Sequence, residues 1–144
     1  MVSIHNIHVP VRNGQSIDVR IYRFTNEKNT VLPAYVYLHE GGYLFGLLFS
    51  EDAHCARITS ALNIIVISVG YRHTPEFTYL TQHNDAWDVS CWIKQNAEKV
   101  GIKQDQVAIG GISAGAGLAA SVVFREFKNT LEIPWYKGTV LCKT

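Results

Sequence analysis

Net charge is nearly absent from this sequence: thirteen lysines and arginines stand against twelve aspartates and glutamates, leaving +1. A chain so balanced has no electrostatic footprint for nucleic acid or for an anionic membrane surface, so its partners have to be argued from sites. Cysteine is scarce too. Cys55, Cys91 and Cys142 are odd in number, far apart and each set in an apolar segment, with no C-x-x-C or metal-ligand spacing. They are expected to be reduced packing residues, which argues against a disulfide framework and a zinc site. The first fourteen residues lack a basic region followed by a long apolar run, and no stretch reaches membrane-spanning length. Neither a secretory signal nor a transmembrane helix is expected, and a soluble cytoplasmic protein is the default. Repeats, low-complexity tracts and domain linkers are missing as well. With 47% hydrophobic content, residues 1–144 are expected to form one domain with a real core.

What is present switches between two periodicities. Residues 4–11 and 17–24 alternate apolar and polar side chains around Arg12-Asn13-Gly14-Gln15, which predicts a hairpin over 4–24. Residues 25–30 are polar without period and read as a surface loop. The run PAYVYL, 33–38, is nearly continuously apolar and rich in aromatic and β-branched residues, which predicts a strand covered on both faces. In 50–62 a serine and two acids precede Ala53, Ala56, Ile58 and Leu62 at roughly helical spacing, an amphipathic helix. Residues 64–69, IIVISV, form the most β-prone run and predict a central strand. From 81 to 100, Ala86, Val89, Ile93 and Ala97 recur at spacings of three and four before Gly101, predicting one long helix with Trp87 and Trp92 against the sheet. Strand alternating with helix after the hairpin implies an α/β fold with a mostly parallel sheet and flanking helices.

The chemistry concentrates in VAIGGISAGAGLAA, residues 107–120. Val107, Ala108 and Ile109 enter a cluster of small residues, and Leu118, Ala119, Val122, Val123 and Phe127 leave it at helical spacing, so the stretch reads strand, sharp turn, helix. Gly111-Ile112-Ser113-Ala114-Gly115 fits G-x-S-x-G, the nucleophile elbow at 111–115, in which a serine at a strained turn projects its hydroxyl above the sheet edge. The helix N-terminus behind it offers N–H groups and a partial positive charge to an oxyanion. Gly115 to Ala120 also fits the G-x-G-x-x-A dinucleotide fingerprint, but that motif needs an acid about 20 positions on at the next strand's end. The next strand candidate, 138–142, has none. A second loop, His39-Glu40-Gly41-Gly42-Tyr43 at 39–43, leaves another parallel strand and opens on the same edge. Backbone N–H groups of such a loop, with that of the residue after the nucleophile, bind the negative oxygen of a tetrahedral intermediate.

In these motifs, with Tyr71-Arg72-His73-Thr74-Pro75-Glu76 between them, the sequence resembles the hormone-sensitive-lipase-type branch of the α/β-hydrolase superfamily. The family's His-Gly-Gly-Gly-aromatic loop is matched at 39–43, its Tyr-Arg-x-x-Pro-Glu segment at 71–76 and its Gly-Asp-Ser-Ala-Gly-Gly elbow at 111–116, with Glu40, Ile112 and Ala116 departing from the pattern. The resemblance implies an α/β-hydrolase fold, cut short at both ends and incomplete in its C-terminal half. It implies Ser113 as nucleophile and Gly41, Gly42 and Ala114 as oxyanion-hole donors. His39 would support the glycine turn, Asp85 would be structural, and Arg72 and Glu76 would be scaffold contacts. It further implies hydrolysis of small-acyl or lipid-like carboxylic esters with no metal or organic cofactor.

In that family the triad runs serine, acid, histidine. The 31 residues after Ser113 contain no aspartate and no histidine; His5, His8, His39, His54, His73 and His83 all precede it. The chain alone is therefore expected to have little of the family's activity, since a serine without a base is a poor nucleophile. His73 and His83 are expected in solvent and His54 on an exposed helix face or its edge, while Tyr43 and Phe45 either line an acyl pocket or pack. A second reading is a non-catalytic module that binds a small ligand on the same fold. A third is a fragment whose last strand, 138–142, leaves a sheet edge open to self-association.

Overall fold

A computed structural model describes residues 1–25, 30–129 and 134–143. Of the predicted loop at 25–30, residues 26–29 lie outside the described residues. The strands are β1 (Val2–Pro10), β2 (Ser16–Phe24), β3 (Leu32–Leu38), β4 (Ile65–Val69), β5 (Ile102–Ile112) and β6 (Gly138–Cys142); the helices are α1 (Asp52–Leu62), α2 (Thr81–Gln95), α3 (Ala97–Val100) and α4 (Ala114–Asn129).

The opening hairpin forms where alternation predicts it, β1 pairing antiparallel with β2 from Val2↔Phe24 to Pro10↔Ser16. Asn13 and Gly14 make the reversal with φ of 63° and 70°, a conformation those two residue types tolerate best. The sheet runs β1-β2-β4-β3-β5-β6. β2 meets β4 antiparallel, and β4, β3, β5 and β6 are mutually parallel. Alternation sorts the strands' side chains onto two faces. Val36, Leu38, Ile65, Ile67 and Ile109 point to the larger core beneath α2, α3 and α4, whereas Tyr22, Tyr37 and Val66 meet Cys55 of α1 on the other side.

Helix expectations held in part. α2 and α3 bury Ala86, Val89, Ile93 and Ala97, but the predicted single helix breaks at Asn96, whose Nδ2 donates to the Trp92 carbonyl at 2.9 Å and competes for the backbone. α1 fully buries only Cys55 and Thr59 and packs Ala56 and Ile58 at the edge of that core, while Leu62 stays 65% exposed. Its entry is fixed by polar contacts that periodicity does not encode: Tyr22 Oη donates to Asp52 and Tyr37 Oη to Glu51, each at 2.7 Å. In α4, Phe127 points outward and Glu126 points inward, because Glu126 Oε1 accepts the Trp135 N–H at 2.8 Å. All three cysteines are free; Cys55 is buried, its thiol pushed up to about 12 by desolvation, but Cys142 is exposed, contrary to its expected packing role. It sits on β6, where every residue is exposed. Between α1 and that strand the sheet face opens into a groove of about 630 Å³ lined by Tyr35, Ile58, Leu62, Ile64, Ile112 and Val140.

Candidate active site

β5 turns into α4 at Ser113, which is exposed and has φ 53°, the left-handed region that costs a side-chain-bearing residue of order 1 kcal/mol or more. The surroundings hold it there. Ser113 N–H donates to the Cys142 carbonyl at 2.9 Å, and the Ser113 carbonyl accepts from Ala116 and Gly117 N–H at 3.0 and 3.3 Å. The flanking glycines are required by close approach. A Cβ at Gly111 would lie 2.4 Å from the Leu38 carbonyl oxygen, and one at Gly115 would lie 1.9 Å from the same atom. The last carbonyl of β3 thus threads the space that the pentapeptide leaves empty. Ala114 opens α4, and a first-turn N–H has no partner within its own helix.

The 39–43 loop leaves β3 directly beside this elbow, since Leu38 pairs with Gly111 in register. Gly41, Gly42 and Tyr43 take φ of 125°, 61° and 67°, and the turn closes with Leu44 and Phe45 N–H both donating to the Gly41 carbonyl at 3.0 Å. Its contacts with α4 are intimate. A Cβ at Gly115 would come within 2.7 Å of the His39 carbonyl, and one at Gly117 within 3.1 Å of the Tyr43 hydroxyl. The two turns, more than seventy residues apart in the chain, therefore share one rim. Neither Gly41 nor Gly42 donates its N–H to another described residue.

His39 lies beneath the loop at 1% exposure. Its ring stacks on Tyr71 at 4.3 Å, and its Nδ1 is 2.6 Å from the Glu40 carbonyl, so that nitrogen carries the hydrogen and donates it. Burial holds its pKa below the usual 6.5, with neighbouring His73 adding to the effect, so the ring is a neutral anchor near pH 7. Asp85, fully buried on α2, accepts the Arg72 backbone N–H at 3.0 Å and its Nε and Nη2 at 2.9 and 2.6 Å. Glu76, expected as a second scaffold contact, is exposed and makes no hydrogen bond or ion pair with a described residue. Glu40 also points to solvent.

Two histidine expectations are overturned. His73 and His83 are half-buried, not solvated, because aromatic loop side chains fold back over them: His73 meets the rings of His39 and Tyr71 at 5.5 and 5.3 Å, and His83 those of Tyr43 and Tyr79 at 5.8 and 5.5 Å. Among the described residues, His73 Nε2 and His83 Nδ1 are buried without a hydrogen-bond partner, and desolvation lowers both pKa values. His54 is exposed against Tyr37, as expected. Among the described residues, no histidine and no carboxylate hydrogen-bonds to Ser113 Oγ. Tyr43 packs, whereas Phe45 is 71% exposed on the rim beside exposed Leu44, Leu47 and Phe49. Tyr71 and Thr74 went unremarked as individual side chains: Tyr71 Oη donates to the His39 carbonyl at 2.8 Å, and Thr74 gives its N–H and Oγ1 to the Tyr43 carbonyl at 2.9 and 3.2 Å. The 71–76 motif marked the segment, but nothing in a residue's type announces which distant carbonyl it will meet. Among the described residues no group of three His, Cys, Asp or Glu side chains is arranged to hold a metal ion, and no helix is long and apolar enough to cross a membrane.

Known proteins share this fold. A family profile described as alpha/beta hydrolase fold matches residues 35–142. The ethyl acetate hydrolase of Pseudomonas putida is 35% identical over 117 residues, which make up 81% of this chain and 37% of that protein. The arylesterase of Saccharolobus solfataricus is 32% identical over 117 residues, 81% of this chain and 38% of that protein. Among solved structures, the carboxylesterase EstE1 from a metagenomic library superposes with a TM-score of 0.88 at 34% identity, covering 96% of this chain and 46% of its own. The esterase of Pyrobaculum calidifontis gives 0.87 at 31% identity, covering 95% and 43%. The chain thus spans less than half the length of these relatives. With the sheet order, the elbow at Ser113 and the profile match all in agreement, the chain belongs to the alpha/beta hydrolase fold family.

Proposed function

We propose that this chain carries the nucleophile and oxyanion half of a carboxylic-ester hydrolase. One observation carries the reading: an exposed serine, held in a left-handed conformation at the start of a sixteen-residue helix, shares a rim with a glycine turn whose N–H groups have no partner among the described residues. Ser113 Oγ attacks the ester carbonyl carbon, and the carbonyl oxygen takes up the negative charge. Gly41, Gly42 and Ala114 N–H donate to that oxygen as the charge develops, a term worth about 10²–10³ in rate per donor. Collapse re-forms the carbonyl, expels the alcohol and leaves an acyl-serine that water hydrolyses. The esterase names of the relatives support small-molecule esters as substrates.

Attack also requires a base to receive the Ser113 proton, and no histidine among the described residues bonds to it. Turnover by this chain alone is therefore expected to be small, about a thousandfold over the uncatalysed rate from the oxyanion hole and binding. The same observation favours a second reading, retention of a small ester or lipid-like ligand without turnover. The test compares the 144-residue chain with Ser113→Ala for fluorophosphonate labelling and p-nitrophenyl acetate hydrolysis. Labelling confined to Ser113 with slow turnover is the expected result; labelling that survives the substitution overturns the assignment. Ligand affinity without any labelling supports the second reading.

A further inference from the structure

We infer that Tyr71 and Thr74 are positioning residues for the oxyanion loop: they hold the carbonyls on either side of the Gly41-Gly42 turn so that its N–H groups face the rim. This rests on the reading of Gly41 and Gly42 as oxyanion donors. A trans peptide is planar, with its C=O and N–H on opposite sides, so fixing a carbonyl also aims the N–H of the next residue. The Glu40 carbonyl is held by His39 Nδ1–H at 2.6 Å, which turns the Gly41 N–H the other way. The Gly41 carbonyl is held by Leu44 and Phe45 N–H at 3.0 Å, which does the same for Gly42.

These inner contacts aim the donors relative to the loop, but the loop must itself be fixed relative to Ser113. The 71–74 segment grips it at both ends. Tyr71 Oη donates to the His39 carbonyl at 2.8 Å while its ring stacks on the imidazole at 4.3 Å between centroids, and Thr74 donates to the Tyr43 carbonyl at 2.9 Å through its N–H and 3.2 Å through Oγ1. The segment is anchored in turn by Arg72 on buried Asp85. The loop is tightly packed within itself: a Cβ at Gly46 would collide with His39 Nδ1 at 2.3 Å, and one at Gly41 with the Phe45 carbonyl at 2.1 Å. Without the grip at both ends, the Leu44 and Phe45 N–H bonds to the Gly41 carbonyl open more often and the turn shifts, and a displacement near 1 Å is enough to cost about a hundredfold in a positioned reaction.

The experiment measures amide hydrogen exchange and fluorophosphonate inactivation on the same 144-residue chain, comparing wild type with Tyr71→Phe and Thr74→Val. Tyr71→Phe keeps the ring stack and removes the hydroxyl's bond to the His39 carbonyl together with its 3.4 Å contact to His39 Nδ1. It is expected to raise exchange at residues 41–45 about fivefold, leave β4 and α2 unchanged, and lower kinact about tenfold with KI unchanged. Thr74→Val keeps the backbone bond and is expected to do the same to a smaller extent. Unchanged exchange at 41–45 in both variants overturns the proposal, as does an equal rise across β4 and α2, which would mean general loosening. Exchange that responds while wild-type Ser113 resists the probe leaves the grip standing and defeats the hydrolase reading instead. If Tyr71→Phe does not fold, Thr74→Val decides by the same criteria.

Discussion

His39, His73 and His83 are imidazoles that folding has taken wholly or partly out of water, and desolvation holds all three below the ordinary value of 6.5. The unfolded chain takes up these protons near pH 6.5, the folded chain only at lower pH. Their stabilising contribution is therefore complete above about pH 6.5 and drains away as the pH falls from there toward the folded values. The urea midpoint of the chain is expected to fall on acidification from pH 7.5 to about 5, before most carboxylates titrate. In His83→Leu, which also removes a buried unpartnered nitrogen, the midpoint at pH 7.5 should be retained or raised and the acid slope reduced. A flat midpoint across this window in the parent chain would show that these rings are solvated after all. At this scale the sequence was readable where backbone geometry dictates the residue type. Only glycine fits at 111 and 115 against the Leu38 carbonyl, so the elbow could be found without coordinates. The partners of His73 and His83 could not be found, because ring contacts across loops leave no spacing in the chain.

Between elements, what holds the rim together is the joint of α2 to the segment after β4. Asp85 is fully buried with Arg72 wrapped round it at 16% side-chain exposure, and helix α2 is thereby tied to the segment whose Tyr71 and Thr74 hydrogen-bond the 39–43 loop. Removing one member of such a pair leaves an uncompensated buried charge, which costs about 3–5 kcal/mol, whereas replacing both with apolar groups can be nearly neutral. Asp85→Ala is expected to lower stability by that amount in urea titration and to raise exchange at residues 41–45 beyond what the global loss accounts for. A loss under 1 kcal/mol would mean that the pair is solvated and the joint unimportant. Element types followed from pattern: alternation in 17–24, a β-branched run in 64–69, and a three-four spacing in 86–97 each gave the right element type. The misses came where a polar side chain outcompeted periodicity, as Asn96 did in cutting the helix and Glu126 did in turning inward in place of Phe127.

At the scale of the whole molecule, the β6 edge is the least protected feature. Cys142 O accepts the Ser113 N–H, and Ile112↔Cys142, Gly110↔Val140 and Ala108↔Gly138 are in register. Strand residues present both backbone groups to the same side and alternate, so those of Thr139 and Leu141 face outward. A second copy paired antiparallel about a two-fold axis at Val140 would engage all of them. Thr139 of each copy would meet Leu141 of the other in hydrogen-bonded pairs, the two Val140 residues would face each other about 4.5 Å apart, and the two apolar grooves would join. Against this, the same register sets exposed Lys137 of one copy opposite exposed Lys143 of the other, a guard against edge pairing. Each like-charge contact costs about 1 kcal/mol in water, similar to the net gain of one hydrogen bond, so burial of Val140 and Leu141 decides the balance and association should be weak. Lys137 Nζ already donates to the Pro134 carbonyl at 2.9 Å, which draws its charge back from the edge. Salt weakens repulsion and leaves apolar contact intact, so the weight-average mass in sedimentation equilibrium is expected to rise with protein concentration, and to rise more at about 0.5 M than at about 0.05 M sodium chloride. Val140→Lys should abolish the rise at both. A monomer mass independent of concentration and salt would show that the two lysines win, whereas a rise that salt suppresses would point to attraction between opposite charges on some other surface.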